Sequence, residues 1–200
     1  MATSLTCVGI FWALLSFTAA ISCFTGFYLP FWIKGRLLDK VDAYFSTFRR
    51  CNYPKITTLG EVQIIEECGR YSRFADIPSI WWQISTILVG IASALSLLVS
   101  ITALAALCLT YVVHDGTARV GGAMQLLACL LLVCGLALYP LGWDNKEIKE
   151  SCGDSATIYN IGTCEVSWSA YILTSSIVLL FLCFCLSFCA SRYKISSFGS

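Results

Sequence analysis

The chain has 200 residues, of which 58% are hydrophobic and 12% are charged, and its mean hydropathy is +0.76. In soluble domains about a quarter of the residues are charged, so this composition excludes an ordinary water-soluble fold. The formal net charge of +1 leaves no strong overall field, which excludes recruitment of nucleic acid or steering of a charged substrate by net charge.

Four stretches of the sequence contain no Asp, Glu, Lys or Arg: residues 1–33, 77–113, 120–143 and 166–191. A helix of about 20 apolar residues crosses the hydrocarbon layer of a bilayer, so each stretch is long enough to span it once. The first stretch lacks a basic n-region and exceeds the apolar part of a signal peptide, which favours an uncleaved span. We therefore predict four transmembrane helices, at about residues 5–33, 80–113, 120–140 and 166–191.

Four spans place both chain termini on one side of the membrane and the two longer connections on the other. These connections are the first outer loop, residues 34–76, and the second outer loop, residues 141–165. On the side of the termini we expect a short turn at residues 114–119 and a tail at residues 192–200. The whole chain, 1–200, is predicted to form a single tetraspan domain.

The outer loops contain four of the twelve cysteines, one pair in each: Cys51 with Cys68, and Cys152 with Cys164. Paired cysteines are typical of disulfides, which persist outside the cytosol. Four cysteines allow three connectivities. We favour the two local ones, because each closes a loop of about 15 residues, worth about 3 kcal/mol in the chain-entropy model.

The orientation of the spans rests on these cysteines. The Lys and Arg residues are concentrated in the first outer loop, and by the positive-inside rule this count favours loops in the cytosol. The cysteines favour the opposite, and they do not suggest zinc, since the only histidine, His114, lies on the other side of the membrane. We give the cysteines the greater weight and expect extracellular loops and cytosolic termini.

The first outer loop also carries a strand pattern. Residues 44–52 are rich in aromatic residues and Thr, residues 61–64 alternate polar with apolar, and residues 54–60 read as a turn. The two runs predict a hairpin that Cys51 and Cys68 staple. The predicted fold class is thus an all-α membrane protein, a four-transmembrane-helix bundle with a small disulfide-stapled extracellular β-sheet.

The spans carry no Asp, Glu, Lys, Arg or His, and the amides Gln83 and Gln125 fall near span ends, which disfavours a transporter or proton pump. The tryptophans near the outer span ends are typical of an aromatic belt at the membrane interface: Trp32, Trp81, Trp82, Trp143 and Trp168.

Two sets of residues are candidates for function. The hairpin charges either pair across the strands or face a partner protein, and the predicted partner surface consists of Arg49, Arg50, Tyr53, Ile56, Glu66 and Glu67. The second set comprises cysteines near the expected cytosolic span ends, which are candidates for palmitoylation or are simply small buried hydrophobes: Cys7, Cys108, Cys185 and Cys189.

Several short words occur in a fixed order along the chain: SLTC at residues 4–7, WALLSF at 12–17, FSTFRRCNYP at 45–54, EECGRY at 66–71, IPS at 77–79, ALYPLGWD at 137–144, CG at 152–153 and GTCE at 162–165. In these words the chain resembles the lipoma HMGIC fusion partner-like tetraspans, over roughly residues 4–192. That family is similar to the wider claudin-like four-span group, whose pattern Trp32, Phe48, Cys51 and Cys68 fit. Ser46-Thr47-Phe48 replaces the Gly-Leu-Trp of claudins, which counts against claudin-style assembly between cells.

The resemblance implies a claudin-like fold and a multi-pass protein of the plasma membrane. It also implies a non-catalytic accessory or scaffold subunit that binds a channel, receptor or adhesion protein through its helices and outer loops. The expected partners are therefore the lipid bilayer and another integral membrane protein. We expect no nucleic acid, no small-molecule substrate, no metal and no cofactor.

Two other function classes stay open at this point. A claudin-like barrier or pore component would line a path with its outer loops, but their net charges of +2 and −3 nearly cancel each other, which gives little basis for ion selectivity. A membrane thiol oxidoreductase would use Cys183 and Cys185, but redox chemistry favours C-x-x-C, whereas this pair is C-x-C with no cation before Arg192.

Overall fold

The computed structural model describes residues 7–37, 41–56, 62–108 and 115–190. The helices are α1 (Cys7–Tyr28), α2 (Ile80–Cys108), α3 (Asp115–Leu138), the short α4 (Lys146–Cys152) and α5 (Trp168–Ala190). The strands are β1 (Ile33–Leu37), β2 (Val41–Phe45), β3 (Arg49–Ile56), β4 (Val62–Arg70) and β5 (Glu165–Val166). Among the described residues, four helices are long and apolar enough to cross a membrane. With the small antiparallel sheet and its disulfide, they confirm the predicted claudin-like tetraspan fold.

The first apolar stretch divides into a helix and a strand. Helix α1 ends at Tyr28, and Ile33 opens β1. Pro30 explains the break, because proline has no N–H to donate and disfavours helical backbone in the residue before it. The last apolar residues of the stretch therefore begin the sheet instead of extending the span.

The sheet is wholly antiparallel, with the strand order β4-β3-β2-β1-β5. The predicted hairpin corresponds to the β3–β4 pair, but its first run, residues 44–52, covers the end of β2, a bend at residues 46–48 and the start of β3. Residues 54–56 of the expected turn belong to β3, and the rest of that turn falls outside the described residues. Strands β1 and β2 come from the start of the first outer loop, while β5 comes from the end of the second. One sheet therefore joins both outer loops.

Strand β1 alternates between buried and accessible side chains, as a strand with one covered face does. Ile33 and Leu37 are 1% and 3% exposed. Gly35 between them shares the covered face, and a Cβ built there would lie 2.5 Å from Cys164 Sγ and 3.1 Å from the Ser151 carbonyl oxygen. The second outer loop thus packs on β1 so closely that only glycine fits.

We expect Gly35→Ala to destabilise the protein by about 1–3 kcal/mol, because the added methyl group overpacks a closed contact. Thermal unfolding of the purified protein in detergent measures the effect as a lower Tm. Gly69→Ala is the matched control, since nothing lies within 4 Å of a Cβ built on that sheet glycine, and it should change stability by less than about 0.5 kcal/mol. Equal losses in the two variants would contradict the packing argument.

The contacts divide the chain into two compact units. The first is drawn from Met1–Phe24, Ile91–Leu130 and Ser175–Ser200, and the second from Thr25–Gly90 and Leu131–Thr174. Each of the four long helices contributes residues to both units.

In the first unit, a buried amide joins α1 to α3. The Trp12 Nε1–H donates to Gln125 Oε1 at 3.2 Å, and Gln125 Nε2 donates to Ser16 Oγ at 2.7 Å. Gln125 is 1% exposed and lies well inside the span Thr117–Gly142, so its predicted place near a span end is wrong. An amide buried in an apolar layer needs partners for both its oxygen and its nitrogen, and α1 provides them.

In the second unit, aromatic rings pack around Tyr139, which follows the end of α3. The ring centroids of Trp32, Trp82 and Trp143 lie 4.9, 5.3 and 6.1 Å from that of Tyr139. All four residues are at most 9% exposed. The predicted interface belt is therefore wrong for these three tryptophans, which form core. Trp81 and Trp168, 39% and 48% exposed, have the accessibility that a belt requires.

Candidate partner-binding surface

Two disulfides staple the outer loops. Cys51 and Cys68 lie directly opposite each other on β3 and β4. Cys152 at the end of α4 is bonded to Cys164, just before β5. These are the two local pairings that the cysteine spacing favoured. Each bond removes freedom from the unfolded chain and holds a short segment that has little core of its own.

An ion pair ties the first outer loop to the second. The Arg50 guanidinium on β3 pairs with the Glu147 carboxylate on α4, with the two side chains 26% and 24% exposed. The Tyr71 hydroxyl donates to Glu147 Oε2 at 2.6 Å. The guanidinium carbon also lies 4.2 Å from the Tyr53 ring centroid and 4.8 Å from that of Tyr71, within cation–π range.

Burial raises the pKa of Tyr71, and the negative charge of Glu147 together with the hydrogen bond raises it further. The phenol therefore keeps its proton throughout the physiological pH range and stays a donor to the carboxylate. Glu147 is thus satisfied by one cation and one hydroxyl, an arrangement suited to a half-buried carboxylate.

The predicted pairing of Arg49 and Arg50 with Glu66 and Glu67 is wrong. Arg50 pairs with Glu147 instead. Arg49 Nη1 donates to the Tyr28 carbonyl oxygen at 3.2 Å, and its guanidinium carbon lies 4.5 Å from the Tyr28 ring centroid. Both arginines therefore bind groups of the chain itself.

A β-bulge displays the two glutamates side by side. Cys51 pairs with Cys68, but Tyr53 pairs with Ile65, so Glu66 and Glu67 together face the single residue Asn52. Asn52 has a positive φ of 57° and donates from Nδ2 to the Asp42 carbonyl oxygen at 2.6 Å. Neighbouring residues in a regular strand point to opposite faces, and a bulge lifts this constraint. Both glutamates are exposed.

The exposed carboxylates lie on β4, an edge strand of the sheet. We call Glu66 and Glu67 on this strand the acidic edge. Of the other predicted surface residues, Tyr53 is half-buried beneath Arg50, and the side chain of Ile56 lies outside the described residues. Sequence reasoning missed Glu147 and Tyr71. The available signal was Asn145, which caps α4 by accepting from the Ile148 N–H at 3.0 Å and so marks a short helix that carries Glu147.

Arg50→Met should lower the free energy of unfolding by about 1–3 kcal/mol, because it leaves the half-buried Glu147 without its cation. A thermodynamic cycle with Glu147→Gln measures the coupling, and the double variant should lose less than the sum of the single losses. The exposed pair Lys146 and Glu150, whose charged atoms lie 3.7 Å apart, is the control, and breaking it should cost under about 0.5 kcal/mol. Additive losses for Arg50 and Glu147 would rule the link out.

No group of three or more His, Cys, Asp or Glu side chains that could hold a metal ion occurs among the described residues. Cys183 is 0% exposed whereas Cys185 is exposed, so the two thiols of the C-x-C pair lie on different sides of α5. That placement suits structural cysteines better than a redox pair. The absence of enzymatic activity stays a prediction.

The cysteines considered for palmitoylation have different surroundings. Cys7 opens α1 and is exposed. Cys185 and Cys189 are both exposed on one face of α5, in its last turns. Cys108 ends α2, and its side chain lies outside the described residues. Palmitoylation stays a prediction, which the contrast with the buried Cys183 makes testable.

Replacing both Cys185 and Cys189 with Ser should lower hydroxylamine-sensitive acyl labelling of the expressed protein by at least half, since these thiols are accessible near a helix end. Acyl-exchange labelling of cell lysates provides the measurement. Cys183→Ser is the matched control on the same helix and should leave the labelling unchanged, because that thiol is buried. Full labelling of the double variant would exclude these two sites.

The chain is similar to known tetraspan proteins over most of its length. The family described as "Lipoma HMGIC fusion partner-like protein" matches residues 8–191. The LHFPL tetraspan subfamily member 3 protein of Danio rerio is 32% identical over 185 residues, which cover 90% of this chain and 81% of the relative.

Two further relatives carry similar names. The member 2a protein of Danio rerio is 29% identical over 190 residues, covering 89% of this chain and 84% of the relative. The member 4 protein of Mus musculus is 30% identical over 188 residues, covering 90% and 71%. These relatives are named as tetraspan subfamily members and not as enzymes.

Proposed function

Because the chain belongs to the lipoma HMGIC fusion partner-like family of tetraspan membrane proteins, we propose that it is a non-catalytic accessory subunit at the plasma membrane. In this role it holds another integral membrane protein, a channel, receptor or adhesion protein. The observation that carries the proposal is the acidic edge, whose two glutamates form no ion pair with Arg49 or Arg50, the arginines on the neighbouring strand.

The negative charge of the acidic edge determines which partner segments it favours. Arg49 and Arg50 are engaged with Tyr28 and Glu147, so the carboxylates of Glu66 and Glu67 meet solvent as a pair. A pair of adjacent negative charges favours a partner segment that carries Lys or Arg, and it repels an acidic one. The partner surface proposed here is therefore a basic segment in the extracellular part of a membrane protein.

The backbone of β4 supplies a second means of binding. An edge strand presents peptide N–H and C=O groups to which an extended segment of another protein can add as a further strand. Such backbone bonds give affinity, while charged side chains beside them give selectivity. The acidic edge thus combines both contributions on one short element.

The helices offer a further contact surface within the membrane. Phe11 and Leu14 on α1 are 56% and 52% exposed, and Tyr171 and Val178 on α5 are 62% and 60% exposed. Lipid tails cover such side chains equally well, so a partner helix must add shape or hydrogen bonding to displace them. We assign these faces a supporting role and the outer sheet the recognition.

The proposed orientation follows from disulfide chemistry. Both disulfides lie in segments that four spans place on the same side, and such bonds persist in oxidising compartments. We therefore place the outer loops outside the cell and both termini in the cytosol. In that arrangement the acidic edge faces extracellular domains of neighbouring proteins.

A photoreactive amino acid at Arg70, an exposed residue of β4, tests this function in native membranes. It should capture an integral membrane protein, identified by mass spectrometry, that has a basic extracellular segment. Glu66→Lys combined with Glu67→Lys should lower the captured amount at least fivefold, because the charge preference is reversed.

Glu165→Lys is the matched control for charge reversal, since Glu165 is an exposed glutamate on β5 at the opposite edge of the sheet. It should leave capture unchanged. Failure to capture any integral membrane protein, or capture that is indifferent to the double reversal, would refute the proposal. Capture of another copy of this chain alone would instead favour the barrier alternative.

A further inference from the structure

The second outer loop turns back toward the end of α3. Thr157 and Asn160 exchange two backbone hydrogen bonds, of 2.9 and 3.0 Å, and thereby close a tight turn. Ile158 and Tyr159 form the tip of that turn. Tyr159 has a positive φ of 58°, a conformation that bulky residues rarely adopt, so the surrounding contacts must hold it there.

Those contacts lead to the third span. The Tyr159 N–H donates to the Pro140 carbonyl oxygen at 3.4 Å, and the Tyr159 hydroxyl donates to the Ala137 carbonyl oxygen at 2.6 Å. Ala137 lies in the last turn of α3, where carbonyl groups lack the N–H donors of a continuing helix. Tyr159 thus completes the end of α3 with a hydroxyl donor.

The direction of the Tyr159 side chain follows from its two contacts with the third span. Its backbone lies beside Pro140, and its hydroxyl reaches Ala137, which precedes the end of the span Thr117–Gly142 by five residues, about 8 Å. The ring therefore points from the loop along the span, toward the middle of α3. A hydroxyl at such depth requires a partner, because hydrocarbon provides none, and the Ala137 carbonyl is that partner.

The tip remains open to its surroundings. Tyr159 is 60% exposed and Ile158 is 52% exposed, although both are large and apolar in body. Tyrosine with a satisfied hydroxyl and an open ring face is suited to the boundary between headgroups and acyl chains. An isoleucine beside it gains free energy by leaving water at the same level.

We infer that Ile158 and Tyr159 form a membrane-inserted tip, which anchors the second outer loop in the headgroup–acyl boundary of the adjacent leaflet. The occupant of this surface is lipid. The strained backbone of Tyr159 aims the tip, and its bond to Ala137 sets the depth. The site is separate from the acidic edge and requires no protein partner.

Photo-crosslinking to lipid tests this assignment in the purified full chain, reconstituted into phosphatidylcholine nanodiscs. A benzophenone amino acid at position 158 should form protein–lipid adducts, measured by intact mass, at a yield at least fivefold higher than at position 155. Ser155 is the matched control because it is an exposed residue of the same loop that lies outside the tip. Equal yields at the two positions, or adducts with a second protein chain in place of lipid, would overturn the inference.

A second measurement avoids the bulky probe. Ile158→Asp should raise the amide hydrogen-exchange rate of residues 156–160 about tenfold in the same nanodiscs, because a carboxylate disfavours insertion. Ser155→Asp should leave that rate unchanged. Unchanged exchange in Ile158→Asp would also overturn the inference. Neither experiment contains a partner protein, so their outcome is independent of the function proposed for the acidic edge.

Discussion

Hydrocarbon offers no hydrogen-bond partner, and this constraint shapes the described chain from its helices to its loops. Within the first unit, the Gln125 amide is held on both sides by Trp12 and Ser16. Hydroxyl groups in the spans follow the same rule more locally. Thr86 and Thr174 each donate to the carbonyl oxygen four residues earlier, at 2.8 Å, so the helix satisfies its own side chains. These polar side chains therefore serve the packing of the helices and do not indicate a catalytic or transport site.

Aromatic residues pack around the point where the third span changes from α-helix to a 3₁₀ turn. Tyr139 begins a short 3₁₀ turn that ends at Gly142, and the Trp82 Nε1–H donates to the Tyr139 carbonyl oxygen at 3.2 Å. The Trp32 indole donates to the Gly26 carbonyl oxygen at 2.7 Å. The rings of Trp32 and Trp82 thus fill space with their faces, while their N–H groups donate to carbonyl oxygens near helix ends. These two roles, packing and hydrogen bonding, explain why both tryptophans are buried.

The elements that sequence predicts best are those fixed by local composition. Charge-free runs located the four spans, because a charged side chain is costly in hydrocarbon, and the lipoma HMGIC fusion partner-like resemblance was confirmed. Strand β1 was missed, although Ile33, Gly35 and Leu37 already alternate with polar residues, because its first residue was assigned to the preceding span. Contacts between distant segments, such as Arg50 with Glu147 and Tyr159 with Ala137, leave no periodic signal. These contacts depend on how distant segments are placed in the tertiary structure, and local rules applied to a single sequence do not predict that placement.

The disulfide between Cys51 and Cys68 has a consequence for tolerance to insertion. Because these residues are fixed as direct neighbours, β3 and β4 cannot slide past each other by one position. The bulge at Asn52 adjoins this fixed point, so its place is set from the bonded end of the hairpin and not from the turn. Lengthening or shortening the connection between β3 and β4 would therefore leave the two glutamates at the same position in the sheet. The connection between the strands can therefore vary in sequence and length, while the position of the two glutamates beside the disulfide stays constant.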